Sequence, residues 1–192
     1  MTTQQNEIAV GENALLEHVP DAIIPFAGSR FMQKTAIHLA NGAGLFWWEI
    51  LAPGREASGE LFVYEQFEMR TRIVAHNRTI AAENARLVPG RKNISSSARF
   101  GAYRYSATFY ICHVGRDGQT WREAESNLRI LTSELSKAGE TLWGVSTLLG
   151  HGLVVRCLAT QGREVLPGLH AIWKRAKIQL FGCEAIPPRK VN

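Results

Sequence analysis

The stretch LFVYEQFEMRTRIVAHN, residues 61–77, decides the fold class. Leu61, Val63, Phe67, Met69 and Ile73 fall on one side of a two-residue repeat, and Gln66, Glu68, Arg70 and Arg72 on the other. Alternation over that length indicates an extended, half-buried strand, because a helix would scatter the same residues around its axis. Working forward, His76-Asn77-Arg78 is a turn signal, and TIAAENARLV (79–88) can pair back through it. The polar run VPGRKNISSS (88–97) then reads as a loop.

Working backward, ALLEHV (14–19) and AIIPF (22–26) are short apolar runs parted by Pro20-Asp21. RFMQKTAIHLA (30–40) is strand-like, and the turn NGAG (41–44) leads into LFWWEILA (45–52). The segment GLFWWEILAPGREASGELF (44–62) then reads as a hairpin trimmed with charge.

Beyond residue 100 the period changes. YRYSATFYICHV (103–114) is a strand with Tyr103, Tyr105, Ala107, Phe109 and Ile111 on one face. In TWREAESNLRILTSELSKAG (120–139) Trp121, Ala124, Leu128, Leu131 and Leu135 recur at helical spacing, with Thr120 and Glu123 as a capping box and Gly139 as the stop. LWGVSTLL and GLVVRCLA read as two strands joined through GHG at 150–152. LPGLHAIWKRAKIQLFG (166–182) is a second helix with a stripe of Leu169, Ile172, Trp173, Ala176 and Leu180, ended by Gly182. The order predicts an α+β, mainly β chain: one domain over 1–192, with a β-rich part to about residue 100 and a strand–helix–strand–strand–helix part over about 101–185. No internal repeat is visible.

A chain of 192 residues, 45% hydrophobic and 20% charged, is globular in composition. It shows neither a signal-peptide pattern nor an apolar run long enough to span a membrane. Three cysteines, Cys112, Cys157 and Cys183, without a CxxC pair fit reduced thiols in the cytoplasm. The formal charge of +5 permits an acidic partner, but the basic residues are scattered, down to the tail PPRKVN (187–192). The RNA-binding reading rests on Tyr103, Arg104 and Tyr105.

Candidate chemistry narrows by elimination. Cys112 and His113 are strand neighbours and point to opposite faces, and His151 and Cys157 would lie at opposite ends of a strand. Ser146 lacks the GxSxG elbow, and no glycine pattern forms a phosphate loop. The carboxylates remain. Glu49 sits inside an apolar strand, sharing a face with Leu45 and Trp47, and Glu83 is the only acid in its strand. Two readings stay open: an ion pair with an arginine such as Arg55, Arg72 or Arg86, or acids lining a polar cavity for a cation or a proton. A hydrolase using Glu49 and Glu83 as an acid–base pair is the enzymatic form of the second.

Read together, ENALLEHVPDAIIPFAGSRF, WEILAPGREASGELF and GVSTLLGHGLVVRCLA resemble the UreD (UreH) family of urease accessory proteins in order and spacing, as does the ending LHAIWKRAKIQLFG followed by PPRKV. The resemblance implies a mostly β scaffold with two helices. It also implies a non-enzymatic maturation chaperone that binds UreF, through it the GTPase UreG, and docks on apo-urease to insert nickel. Glu49 and Glu83 correspond to acids lining an internal passage for nickel(II) in transit, with no permanently bound cofactor. Gly54, Arg55, Gly59 and Glu60 form the family's most specific motif, assigned to hairpin architecture. Family members usually carry a further N-terminal segment of the type HPPGG-then-GGD. Without it, the strands here should present open edges and the chain should be poorly soluble alone.

Overall fold

The computed structural model describes residues 1–187, so most of the PPRKVN tail lies outside the described residues. The elements are β1 (Thr2–Val10), β2 (Leu15–His18), β3 (Arg30–Leu39), β4 (Gly44–Leu51), β5 (Gln66–Ala75), β6 (Arg78–Leu87), β7 (Tyr105–His113), α1 (Gly118–Leu135), β8 (Thr141–Thr147), β9 (Gly152–Ala159) and α2 (Val165–Phe181). They build two mixed sheets, ordered β1-β3-β5-β6 and β2-β4-β7-β9-β8. The fold is α+β and mainly β, with both helices in the C-terminal half.

The chain winds before it folds back. Strands β1 to β5 alternate between the two sheets, and within each sheet successive turns lie parallel. Thr2 lies opposite Phe31 and Leu15 opposite Gly44, a register step of 29 residues in both sheets. The remaining pairings, β5–β6, β4–β7, β7–β9 and β8–β9, are antiparallel.

Three layers result. Strand β4 is buried along its whole length and serves two cores. Phe46, Trp48 and Ile50 face the helices, where Trp121, Ala124 and Leu128 of α1 and Leu169, Ile172, Trp173, Ala176 and Leu180 of α2 pack on the sheet. Leu45 and Trp47 face the other sheet, meeting Ile37, Ile73, Tyr110 and Val154. This is the face division that two-residue alternation dictates, and it puts Glu49 between the sheets.

Several local expectations change. Residues 44–62 are no hairpin, since β4 and β5 belong to different sheets. Both edges of β4 are taken, by β2 and β7, so the chain after it finds no free edge and crosses to the other sheet. The strand in the opening stretch starts at Gln66; Leu61 and Val63 lie in the crossing loop, partly exposed. AIIPF contributes only a bridge from Ile23 to Leu51, flanked by two prolines that cannot donate to a ladder. The α1 cap is Asp117, whose carboxylate accepts the Thr120 N–H at 2.7 Å, and the helix ends at Leu135 rather than near Gly139. By contrast, His76 and Asn77 take the positive φ values of a two-residue hairpin turn, and Gly182 closes α2 in the left-handed region.

Candidate functional site

Glu49 and Glu83 come together from different sheets. Glu49 is the register partner of Thr108 across β4–β7, and Glu83 that of Thr71 across β5–β6. The two pairs face each other and exchange hydrogen bonds crosswise. Thr71 Oγ1 lies 3.1 and 3.0 Å from the Glu49 oxygens, sharing one proton between them, while the Thr108 hydroxyl donates to Glu83 Oε1 at 3.2 Å. Gln33 Nε2 donates to Glu49 Oε1 at 3.1 Å. Tyr110 donates its hydroxyl to Glu83 Oε2 at 2.9 Å, and the Arg156 guanidinium donates to the same oxygen at 2.9 Å.

The two acids differ in what surrounds them. Glu49 is 5% exposed and has only neutral partners. Burial raises its pKa above the ordinary carboxylate value; the Thr71 hydroxyl, Trp47 and Gln33 work against that, and the nearby Glu83 charge adds to it. The Trp47 indole N–H is buried near this carboxylate without a partner in full hydrogen-bond geometry. Glu83 is partly open to solvent, its side chain 29% exposed, and of the two acids it is the one with an ion pair, to Arg156. Neither acid meets Arg55, Arg72 or Arg86 among the described residues, so the ion-pair alternative holds for Glu83 alone, and with an arginine 73 positions later.

Both carboxylates line a cleft of about 510 Å³ at the edge of the sandwich, between β6 and β9. Its upper walls are apolar, from Phe67, Met69, Leu87, Phe100 and Leu142. From its floor a line of polar side chains continues between the sheets: Gln33 Nε2 lies 3.5 Å from Thr35 Oγ1, Asn6 Nδ2 donates to that oxygen at 3.2 Å, and Gln4 Nε2 donates to Asn6 Oδ1 at 3.2 Å. The seam thus runs from the cleft to Gln4 on the edge strand β1. Carboxylate, hydroxyl and amide oxygens suit a hydrated divalent cation of intermediate hardness. The same apposition of two carboxylates would also serve an acid–base pair. Among the described residues no three of His, Cys, Asp and Glu gather as a metal-holding group.

The motif residues lie elsewhere. Arg55 pairs with Glu60 through two contacts, Nε to Oε2 at 2.9 Å and Nη2 to Oε1, and its guanidinium sits 4.9 Å from the centre of the Phe26 ring. Glu60 also accepts the Ala27 N–H at 3.2 Å. Gly54 has φ +143° and a Cβ there would stand 2.6 Å from the Glu60 carbonyl oxygen; Gly59 has φ +74°. All four shape the loop that carries the chain from β4 to β5. Arg104 and Tyr105 both hydrogen-bond to Glu56, at 2.7 and 2.8 Å. Cys112 and Cys157 are buried thiols pushed up to about 12, Cys183 is exposed, and His113 packs its ring on Phe181.

Sequence reasoning missed Gln33, Thr71, Thr108, Tyr110 and Arg156. The first two left a trace: Gln33 and Thr35 share a strand face with Phe31, Ile37 and Leu39, and Thr71 shares one with Phe67 and Ile73. A polar residue on an otherwise apolar face needs an interior partner. No helix among the described residues is long and apolar enough to cross a membrane.

Comparison with known proteins identifies relatives of this chain. The chain is 44% identical over 188 residues to the urease accessory protein UreD of Herpetosiphon aurantiacus, covering 98% of this chain and 66% of that protein. It is 29% identical over 179 residues to UreD of Lachnoclostridium phytofermentans (93% of this chain, 63% of that protein) and 28% over 183 residues to UreD of Haloarcula marismortui (95% and 59%). The chain therefore spans 59% to 66% of the length of these relatives. A family model described as UreD urease accessory protein matches residues 1–192, and the chain belongs to that family.

Proposed function

We propose that this chain is a non-enzymatic scaffold of urease maturation, which joins UreF, recruits the GTPase UreG through it, docks on apo-urease in the cytoplasm, and passes nickel(II) along the seam that contains Glu49 and Glu83. The observation that carries the reading is the crosswise pairing of two acids that line one cleft between the sheets. Nickel is cargo here and need only be handed on. Two carboxylates separated by neutral hydroxyls and an amide attract a divalent cation and release it, whereas a thiolate-rich site would retain it. The thiol of Cys157 neighbours Arg156 on β9, but alternation turns it to the helix side of the sheet, and burial there pushes it up to about 12 and so keeps it protonated at neutral pH.

Membership in an accessory-protein family favours this role over hydrolysis. So does the hydrogen bonding: Thr108, Tyr110 and Arg156 already occupy the Glu83 oxygens that an acid–base mechanism would use. The test is co-purification with UreF, UreG and apo-urease, followed by nickel-dependent activation, with Glu49→Gln and Glu83→Gln. The expected result is an intact complex that activates urease at least about tenfold less well, the loss of one charge-assisted contact along the path. Full activation by both variants would sink the passage.

A further inference from the structure

At the mouth of the cleft the chain supplies a positive charge of its own. Arg156 stands on the inter-sheet face of β9, opposite Thr108 in register, and its Nη2 lies 2.9 Å from Glu83 Oε2. Its side chain is 57% exposed and lines the cleft, so it reaches across the opening with solvent behind it.

We propose that Arg156 gates the cleft: its guanidinium holds the cation position at Glu83, and a divalent cation reaches the interior only when Arg156 swings outward. This rests on reading the cleft as a cation path. The three donors to Glu83 are not equivalent toward a cation. The Thr108 and Tyr110 hydroxyls can rotate and present oxygen lone pairs, so they can remain beside a metal ion as neutral neighbours. A guanidinium has five donors, no acceptor and a charge it does not lose. Arg156 is therefore the one partner of Glu83 that excludes a cation, and among the three it is the one with room to leave. Thr108 and Tyr110 are buried on the central strand β7. Deeper in, Glu49 has Gln33 and Thr71 as neutral partners, so the barrier sits at the mouth and not along the seam. The Arg156 side of the contact is more than half exposed to water, which screens the pair and lets the gate open.

The alternative is that Arg156 only ties β6 to β9, and the two differ in what its removal does to metal binding. The experiment measures nickel(II) affinity of the full 192-residue chain by calorimetric competition at pH 7, with parent, Arg156→Gln, Arg156→Lys and the double variant Glu83→Gln/Arg156→Gln. Melting curves verify that each is folded. The proposal expects Arg156→Gln to bind nickel roughly tenfold more tightly than the parent, the scale of one charge-assisted hydrogen bond. Arg156→Lys should gain less, because its charge remains, and the double variant should lose the gain. Equal affinity of parent and Arg156→Gln, an equal gain in Arg156→Lys, or a gain that persists in the double variant would each overturn the gate. Should Arg156→Gln bind more tightly while Glu49→Gln and Glu83→Gln still mature urease fully, the gate stands and the maturation path fails. The reverse pattern removes the gate and leaves the path.

Discussion

Glu49 is a carboxylate that the sandwich core tolerates at a cost, and pH should expose that cost. Burial raises its pKa in the folded chain above the ordinary value of 4.5. Between the unfolded and the raised folded value the native state holds the extra proton, so the stability linked to this group is complete below about 4.5 and declines as pH rises through the folded pKa. Glu49→Gln should therefore stabilise the chain at pH 8, by about 1 kcal/mol, since a neutral amide still bonds to Gln33 and Thr71 without the charge. That advantage should shrink as pH falls toward 4.5; denaturant melts of parent and variant at pH 4.5, 6 and 8 check it, and a pH-independent difference would contradict the assignment. The same scale shows why the site was only half legible. Alternation put Glu49 on one face with Leu45 and Trp47 and Trp48 and Ile50 on the other, but that the first face turns to the second sheet shows only in the assembled sandwich. Nothing local marked Arg156 as the partner of Glu83, since a pair 73 residues apart exists only once both sheets are assembled. Thiol chemistry gives a second check: an uncharged maleimide should label Cys183 quickly in the native chain and reach Cys112 and Cys157 only on unfolding, as their burial requires.

Elements were read best where one face had to be apolar throughout. The whole stripe of α2 that the spacing picks out is buried, and its C-terminal glycine is left-handed as predicted. The start of α1 was misplaced because Asp117 lies in GRDGQ, which looks like a chain breaker. Its carboxylate in fact meets the Thr120 N–H three residues on. Asp117→Ala should lower the melting temperature modestly, a lost N-cap, without altering the cleft. The contact between α2 and β8 is tighter and should be less forgiving. A Cβ at Gly168 would stand 2.3 Å from the Trp143 ring, which packs on the helix side of the sheet. Gly168→Ala gains helix propensity but must displace an indole packed in the core, with a net loss of about 2 kcal/mol in a denaturant melt. Gly144→Ala, on the same β8, meets nothing within 4 Å and serves as the control. Equal stability of the two variants would show that Trp143 moves aside without penalty. Hairpin and crossing were confused at residues 44–62 for a different reason. Turn chemistry is local, whereas whether the next strand pairs back depends on which edges of β4 are already occupied.

At the scale of the molecule, the winding of β1 to β5 could not be seen in the sequence. The 29-residue step repeats positions on a sheet and not residue identities, and a parallel coil asks only that inward positions fit their neighbours. Its consequence is that β1 and β2 are edge strands, each hydrogen-bonded on one side. They are secured differently. Strand β1 is mostly exposed and relies on its ladder with β3. The four residues of β2 are instead pinned to α2 from outside the ladder, Glu17 accepting the Trp173 indole N–H at 2.8 Å and the Lys177 ammonium at 2.9 Å, while His18 stacks on its ladder partner Trp47 of β4. Lys177 is only 8% exposed, so Glu17→Ala strands a charge and an indole donor together. Because Glu17 itself is partly open to water, the expected cost is about 2 kcal/mol, below that of a fully buried pair. Hydrogen exchange separates this local clamp from general destabilisation. In the parent, β1 amides should exchange ahead of β2 amides although β2 is the shorter strand. In Glu17→Ala the β2 amides should lose protection well beyond the global change while β1 shifts only with it. If both edges loosen by the same amount, the Glu17–Trp173–Lys177 contact stabilises the whole fold and does not hold β2 in particular.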